Sequence, residues 1–152
     1  MRLAGTDRIP VLRSEMQEYL FLYGSLLPGL APPSLRACLA KLRPLGPGTV
    51  PGRLYDLGPY PAAVLDAAAA TAVAGQVFEL PGDPAVLPAL DAYEGFAAAD
   101  PAGSLYVRRQ WPVTLADGRE LACWVYAYNR DPGDSPLIPD GDYRRWRAAR
   151  QR

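Results

Sequence analysis

Histidine is missing from the 152-residue chain. That absence excludes a Ser-His-Asp triad, a Cys-His pair and any His-ligated zinc or iron. Lysine is nearly absent too, and Lys41, the only one, falls in a segment that reads as an exposed helix, unsuited to Schiff-base chemistry. The two cysteines, Cys38 and Cys123, lie far apart and in no metal-type or redox-type spacing. No disulfide framework is needed, and a reducing compartment, the cytoplasm, is the expected location. The longest bland stretch, Ala67 to Ala74, is too short to cross a bilayer, so no membrane partner is expected.

An excess of either charge is also lacking, because sixteen basic and sixteen acidic residues cancel. The basic ones gather only in the tail Arg144, Arg145, Arg147, Arg150 and Arg152. A nucleic-acid-binding face normally shows a stronger bias, so the tail reads as a solvated terminal helix and no nucleic acid is expected. What remains for chemistry is carboxylates, hydroxyls, arginines and backbone amides.

A chain of this length fits one domain, able to bury about two-thirds of the surface its unfolded form exposes. Residues 1–17 lack the apolar core of a signal peptide and read as a polar leader to a single domain over 18–152. Apolar residues make up 49% of the chain, so the scattered prolines and glycines mark tight connections.

Tyr19-Leu20-Phe21-Leu22-Tyr23, bounded by Gly24, reads as a buried first strand. Ser34 is a plausible N-cap for a helix with Leu35, Cys38, Leu39 and Leu42 on one face, ended by the Pro44 to Gly48 cluster. Strands are expected over Thr49 to Leu57, Ala62 to Leu65 and Thr71 to Leu80, the first two separated by the turn Gly58-Pro59-Tyr60-Pro61. Asp117-Gly118 between the β-rich runs Leu105 to Leu115 and Glu120 to Asn129 is a hairpin signal. Five or six strands with two or three helices imply an α+β fold.

Asp83 and Pro84 read as N-cap and first position of a helix running to Gly95, with Pro88 bending its first turn. On that helix Val86, Leu90, Leu87 and Tyr93 form an apolar arc, and Glu94 falls between Leu90 and Leu87. A carboxylate pointing inward loses hydration, which raises its pKa toward the range of a general base near neutral pH. The alternatives are a helix-end residue leaning to the surface, or a buried acid paired with Arg53, Arg108 or Arg109. After the first strand, Tyr23-Gly24-Ser25-Leu26 can aim successive N–H groups into one concavity suited to an anion, or can be a simple turn. With no base to take its proton, Ser25 reads as a turn former or hydroxyl donor before a nucleophile.

Taken in order, Leu22-Tyr23-Gly24-Ser25-Leu26, Gly58-Pro59-Tyr60-Pro61-Ala62, Leu90-Asp91-Ala92-Tyr93-Glu94-Gly95-Phe96, Tyr106-Val107-Arg108-Arg109 and Trp124-Val125-Tyr126-Ala127-Tyr128 resemble the gamma-glutamylcyclotransferase-like family. The resemblance covers about residues 19 to 145. It implies a small, mostly antiparallel β-barrel with flanking helices, and an enzyme that cyclises a γ-glutamyl amide to 5-oxoproline, releasing the amine without water or cofactor. It places the family's essential glutamate at Glu94. It further implies that Gly24, Ser25 and Leu26 hold the glutamyl moiety through backbone N–H groups, with Tyr23 and the Tyr60-Pro61 turn shaping the cavity wall. No metal is implied, and the partner is a small γ-glutamyl substrate; the leaving amine, the pathway and the oligomeric state stay open. The loop from Ala97 to Ser104 offers no anchor for the amine.

Two other readings compete. One is a non-catalytic small-molecule-binding module on the same fold. The other is a carboxylate-bound metal at Asp131, Asp134, Asp140 and Asp142, although aspartates in Pro/Gly-rich loops commonly make turns.

Overall fold

Tyr19–Leu22 forms β1, whose Leu20 and Phe21 are fully buried. The strand is apolar throughout because it has neighbours on both sides, antiparallel β4 (Ala72–Glu79) and parallel β6 (Glu120–Tyr128), and core on both faces. The computed structural model describes residues 17–150. All of the expected polar leader except Gln17, and Arg152 of the basic tail, lie outside the described residues.

The remaining strands are β2 (Arg43–Asp56), β3 (Pro61–Leu65) and β5 (Tyr106–Leu115). Their order is β3-β2-β4-β1-β6-β5, and β2 also pairs with β5 at Gly48↔Leu115 and Thr49↔Thr114. That last pairing closes β2, β4, β1, β6 and β5 into a barrel, with β3 added outside on β2. Only β1 and β6 run parallel, so the barrel is mixed but mostly antiparallel, as expected. One apolar cluster, around Phe21, Val50, Val77, Val113 and Val125, fills the barrel. A second, around Leu20, Leu26, Phe78, Leu90 and Tyr106, joins the barrel to its helices.

Among the described residues three helices flank the barrel: α1 (Arg36–Leu39), α2 (Val86–Glu94) and α3 (Tyr143–Arg150). The helix expected after Ser34 is cut short. Pro32 and Pro33 open a 3-10 turn, Pro33–Leu35, that contains Ser34 without using it as a cap, and only four α-helical residues follow. Lys41 lies past the helix and pairs with Asp83 at 2.6 Å. The Pro44 to Gly48 cluster, expected as a breaker, is instead the start of β2. Pro44 is tolerated because the register shifts between it and Gly46, where its missing N–H breaks no regular ladder. Gly48 is needed there, since a Cβ would stand 2.9 Å from Val113 Cγ1.

The two hairpins form where their turn residues sit. β2 meets β3 through a turn in which Leu57 N–H donates to Tyr60 O at 3.0 Å, and Pro61 starts β3 rather than ending the turn. Asp117-Gly118 joins β5 to β6, with Gly118 at φ 91°. Up to Arg150 the basic tail is helix α3, docked through buried Tyr143 and through Trp146, whose Nε1 donates to Asp56 Oδ2 at 2.8 Å. Among the described residues no helix is long and apolar enough to cross a membrane.

Candidate active site

Helix α2 delivers Glu94 to the barrel. The turn before it is held by Asp83, whose Oδ1 accepts the Ala85 N–H at 2.9 Å, so the helix begins later than the sequence suggests. Pro88 stands in the first turn, where its missing N–H costs little. Val86 and Leu90 anchor the inner face, whereas Tyr93, expected on the apolar arc, is 43% exposed. The phase at the helix end thus favours Glu94 over Tyr93 as the inward residue. Gly95 follows at φ 73° and Phe96 N–H donates to Asp91 O at 2.9 Å, so the helix stops immediately after the carboxylate.

Glu94 faces a cavity lined also by Phe21, Leu22, Tyr23, Gly24, Ser25, Leu26, Pro61, Tyr106 and Tyr126. Loss of hydration among these apolar and aromatic groups pushes its pKa up to about 8. Among the described residues no ion pair offsets this. Arg53 is 3.6 Å from Asp66, Arg108 is 2.7 Å from Asp91, and Arg109 is exposed.

Opposite the carboxylate, Leu27 N–H donates to Gly24 O at 2.9 Å and folds residues 24–27 into a tight turn. The N–H groups of Gly24, Ser25 and Leu26 have no acceptor among the described residues, which leaves them available to an anion or a carbonyl oxygen. Gly24 fits because its α-carbon lies against Pro61, where a Cβ would come within 2.5 Å of Pro61 Cγ. Gly24→Ala is therefore expected to push the Pro61 turn away and to destabilise the fold by about 1–3 kcal/mol, as overpacking does. Urea unfolding checks the loss.

Three tyrosines tie the walls together. Tyr23 Oη donates to Tyr126 O at 2.5 Å, Tyr106 Oη to Pro61 O at 2.6 Å, and Tyr126 Oη to Asp91 Oδ1 at 2.6 Å. Burial, first of all, raises the pKa of each well above that of a free phenol, so all three remain neutral donors.

Of the residues singled out in the sequence, Tyr23, Gly24, Ser25, Leu26, Pro61 and Glu94 line this one cavity. Tyr60 does not; its ring packs edge-on against Tyr106 at 6.0 Å, outside the lining. Sequence reasoning assigned no role to Tyr106 and Tyr126. Both fall in segments that carry the family resemblance, and each is an aromatic at an inward position of a strand of the β5–β6 hairpin.

The cavity is small, about 20 Å³, room for roughly one water molecule. A glutamyl-sized ligand enters only if the walls part. Two hollows of about 320 Å³ lie elsewhere, one with Thr49, Gln76, Thr114 and Arg144, the other with Glu18, Leu80 and Asp83. Volume favours them, but neither sets a dehydrated carboxylate opposite available backbone amides. The aspartates of the late loops mostly serve as turn formers: Asp131 accepts from Gly133 N–H, Asp140 from Asp142 N–H and Asp142 from Arg145 N–H. Among the described residues no three potential metal ligands cluster.

A closed mixed barrel with a carboxylate at a helix end and a glycine turn facing it defines the class as a small cavity-bearing barrel. The chain belongs to the gamma-glutamyl cyclotransferase, AIG2-like family, whose pattern matches residues 20–145. Its fold is similar to that of YkqA from Bacillus subtilis, with a TM-score of 0.67 and 20% identity over 90% of this chain and 43% of that one. The chain thus spans less than half the length of YkqA. An AIG2-like protein from Mus musculus aligns with a TM-score of 0.64 and 21% identity, covering 84% of this chain and 88% of the other. A protein described as a gamma-glutamyl cyclotransferase aligns with a TM-score of 0.52 and 16% identity, covering 74% and 66%. No significant match is found among curated proteins.

Proposed function

We propose that the protein is a cofactor-independent cyclotransferase that releases an amine from a small γ-glutamyl amide, amino acid or peptide, leaving 5-oxoproline. The observation that carries this reading is the Glu94 carboxyl, its pKa raised by burial and without an ionic partner among the described residues, opposite the N–H groups of Gly24, Ser25 and Leu26, which have no acceptor there. Family membership supports it.

The substrate's α-amino nitrogen attacks its own γ-carbonyl carbon, so the new C–N bond closes a five-membered ring and the old amide C–N bond breaks. Nucleophile and electrophile belong to one molecule, and the protein has chiefly to select the ring-forming conformer. The amine arrives largely protonated near neutral pH. Glu94 takes one proton to free the attacking amine and, once the ring bond has formed, the second proton that the ring nitrogen must lose, and it passes each to the departing nitrogen, which leaves as an ammonium; it acts as base and then as acid. No water is consumed and nothing is oxidised. The 24–26 amides hold the glutamyl group, and one directed at the carbonyl oxygen stabilises it as charge develops there. Tyr23 and Pro61 shape the wall.

The test is a panel of γ-glutamyl amides, amino acids and peptides assayed for 5-oxoproline and free amine. Equimolar appearance of the two from at least one substrate is expected. Ligand-dependent thermal stabilisation with no product over long incubation would instead establish a binding module on the same fold.

A further inference from the structure

We propose that Asp91 and Arg108 form a positioning pair for Glu94, fixing where its carboxylate stands and holding the guanidinium on Asp91. The inference rests on the function proposed above and extends it to two residues that do not line the cavity.

Asp91 lies one helical turn before Glu94 on α2. Its carboxylate accepts from Arg108 Nε at 2.7 Å, from Arg108 Nη2 at 3.0 Å and from Tyr126 Oη at 2.6 Å. The guanidinium comes from β5 and the hydroxyl from β6, and Tyr126 is itself part of the cavity wall. The helix is thereby tied to the wall that its last residue must face. On the other side of Glu94, the Arg108 guanidinium sits 5.5 Å from the Phe96 ring centroid, and it also covers Trp124 at 4.5 Å. One arginine therefore grips the chain both before and after Glu94.

The other ion pairs among the described residues are largely exposed. The Arg108 and Asp91 side chains keep only 14% and 16% of their surface. A pair so far out of water gains little net stability, because desolvation offsets most of the attraction. Its bidentate geometry instead fixes a position.

The pair also keeps the net charge one helical turn from Glu94 at zero. The titratable groups that face that carboxyl are Tyr23 after β1, Tyr106 on β5 and Tyr126 on β6; Asp91 stands one turn before it on its own helix and holds Arg108 of β5, which has Glu18 beside it. The tyrosines stay neutral. Asp91 and Arg108 cancel each other while paired, so removing either one leaves a single charge one helical turn from Glu94, of opposite sign in the two cases.

The experiment compares wild type, Asp91→Asn, Arg108→Gln, Arg108→Lys and the double variant Asp91→Asn/Arg108→Gln. Glu94 is titrated directly by carboxyl NMR, and the release of 5-oxoproline is followed alongside to give its pH optimum, kcat and KM. Asp91→Asn is expected to lower the Glu94 midpoint and the pH optimum by up to about one pH unit, and Arg108→Gln to raise both by a similar amount. The double variant should return both close to wild type, while its kcat stays at least about tenfold down and KM changes less, because position is still lost. Arg108→Lys should restore the midpoint but only part of kcat, since an ammonium keeps the charge without the fork. Midpoints that do not move, or that move the same way in both single variants, would overturn the pair's role. If the wild type makes no 5-oxoproline, the proposed function fails, and the Glu94 titration still decides the pair.

Discussion

Glu94→Gln is expected to slow 5-oxoproline release by about 10²- to 10⁴-fold, the range one positioned acid/base group contributes. The amide keeps the shape of the side chain, so the cavity and KM should change little. What disappears is a group able to take a proton from the substrate ammonium and return it to the leaving nitrogen. The pH dependence of the unmodified protein follows from the same bookkeeping of protons. Glu94 titrates at about 8, the α-amino group of the substrate in a similar range, and the reactive complex holds one proton between them. A narrow bell in kcat/KM centred near pH 8 is therefore expected. A glutamine variant that forms the ring at an undiminished rate would remove Glu94 from the mechanism.

Much of the barrel is legible in the sequence because its strands announce themselves twice, by pattern and by turn chemistry. Asp117-Gly118 supplies the left-handed backbone that a two-strand connection needs, and β5 and β6 pair in register on either side of it. The start of β2 is illegible for the opposite reason. Pro44, Gly46, Pro47 and Gly48 carry every local sign of a breaker, yet pairing with β4 across a register shift, and closure against β5, override that preference. Closure is a long-range property, and no local pattern encodes it.

The site divides along the same line. Glu94 can be proposed from helical phase, since its direction depends on residues within one turn. Tyr93 is misplaced by that same phase estimate, because it stands at the edge of the arc that Val86 and Leu90 bury and is left exposed. Tyr60 is drawn toward the cavity by its neighbour Pro61, but the turn points its ring at Tyr106 instead. The tie between Asp91, Arg108 and Tyr126 spans a helix and two strands. It appears only when the barrel brings them together.

Holding Glu94 away from water has a thermodynamic consequence that can be measured without any substrate. Its pKa rises from an ordinary 4.5 to about 8 on folding, so between those values the folded chain keeps a proton that the unfolded chain releases. Stability then falls as pH rises through this window. The penalty is absent below pH 4.5 and constant above about 8, and such a rise corresponds to at most about 5 kcal/mol. In Glu94→Gln there is nothing to titrate at this position. Burying the amide adds its own cost, about 1–3 kcal/mol if unpaired, but that cost does not depend on pH. The informative quantity is therefore the difference in unfolding free energy between variant and wild type, followed by urea denaturation from pH 4 to pH 9. The difference should climb by several kcal/mol in favour of glutamine and level off near pH 8. A flat difference would mean that Glu94 is hydrated in the folded state, and the raised pKa on which its acid/base role depends would be lost with it. A large climb together with lost turnover would mark Glu94 as a residue held at the expense of the fold, as active-site groups often are.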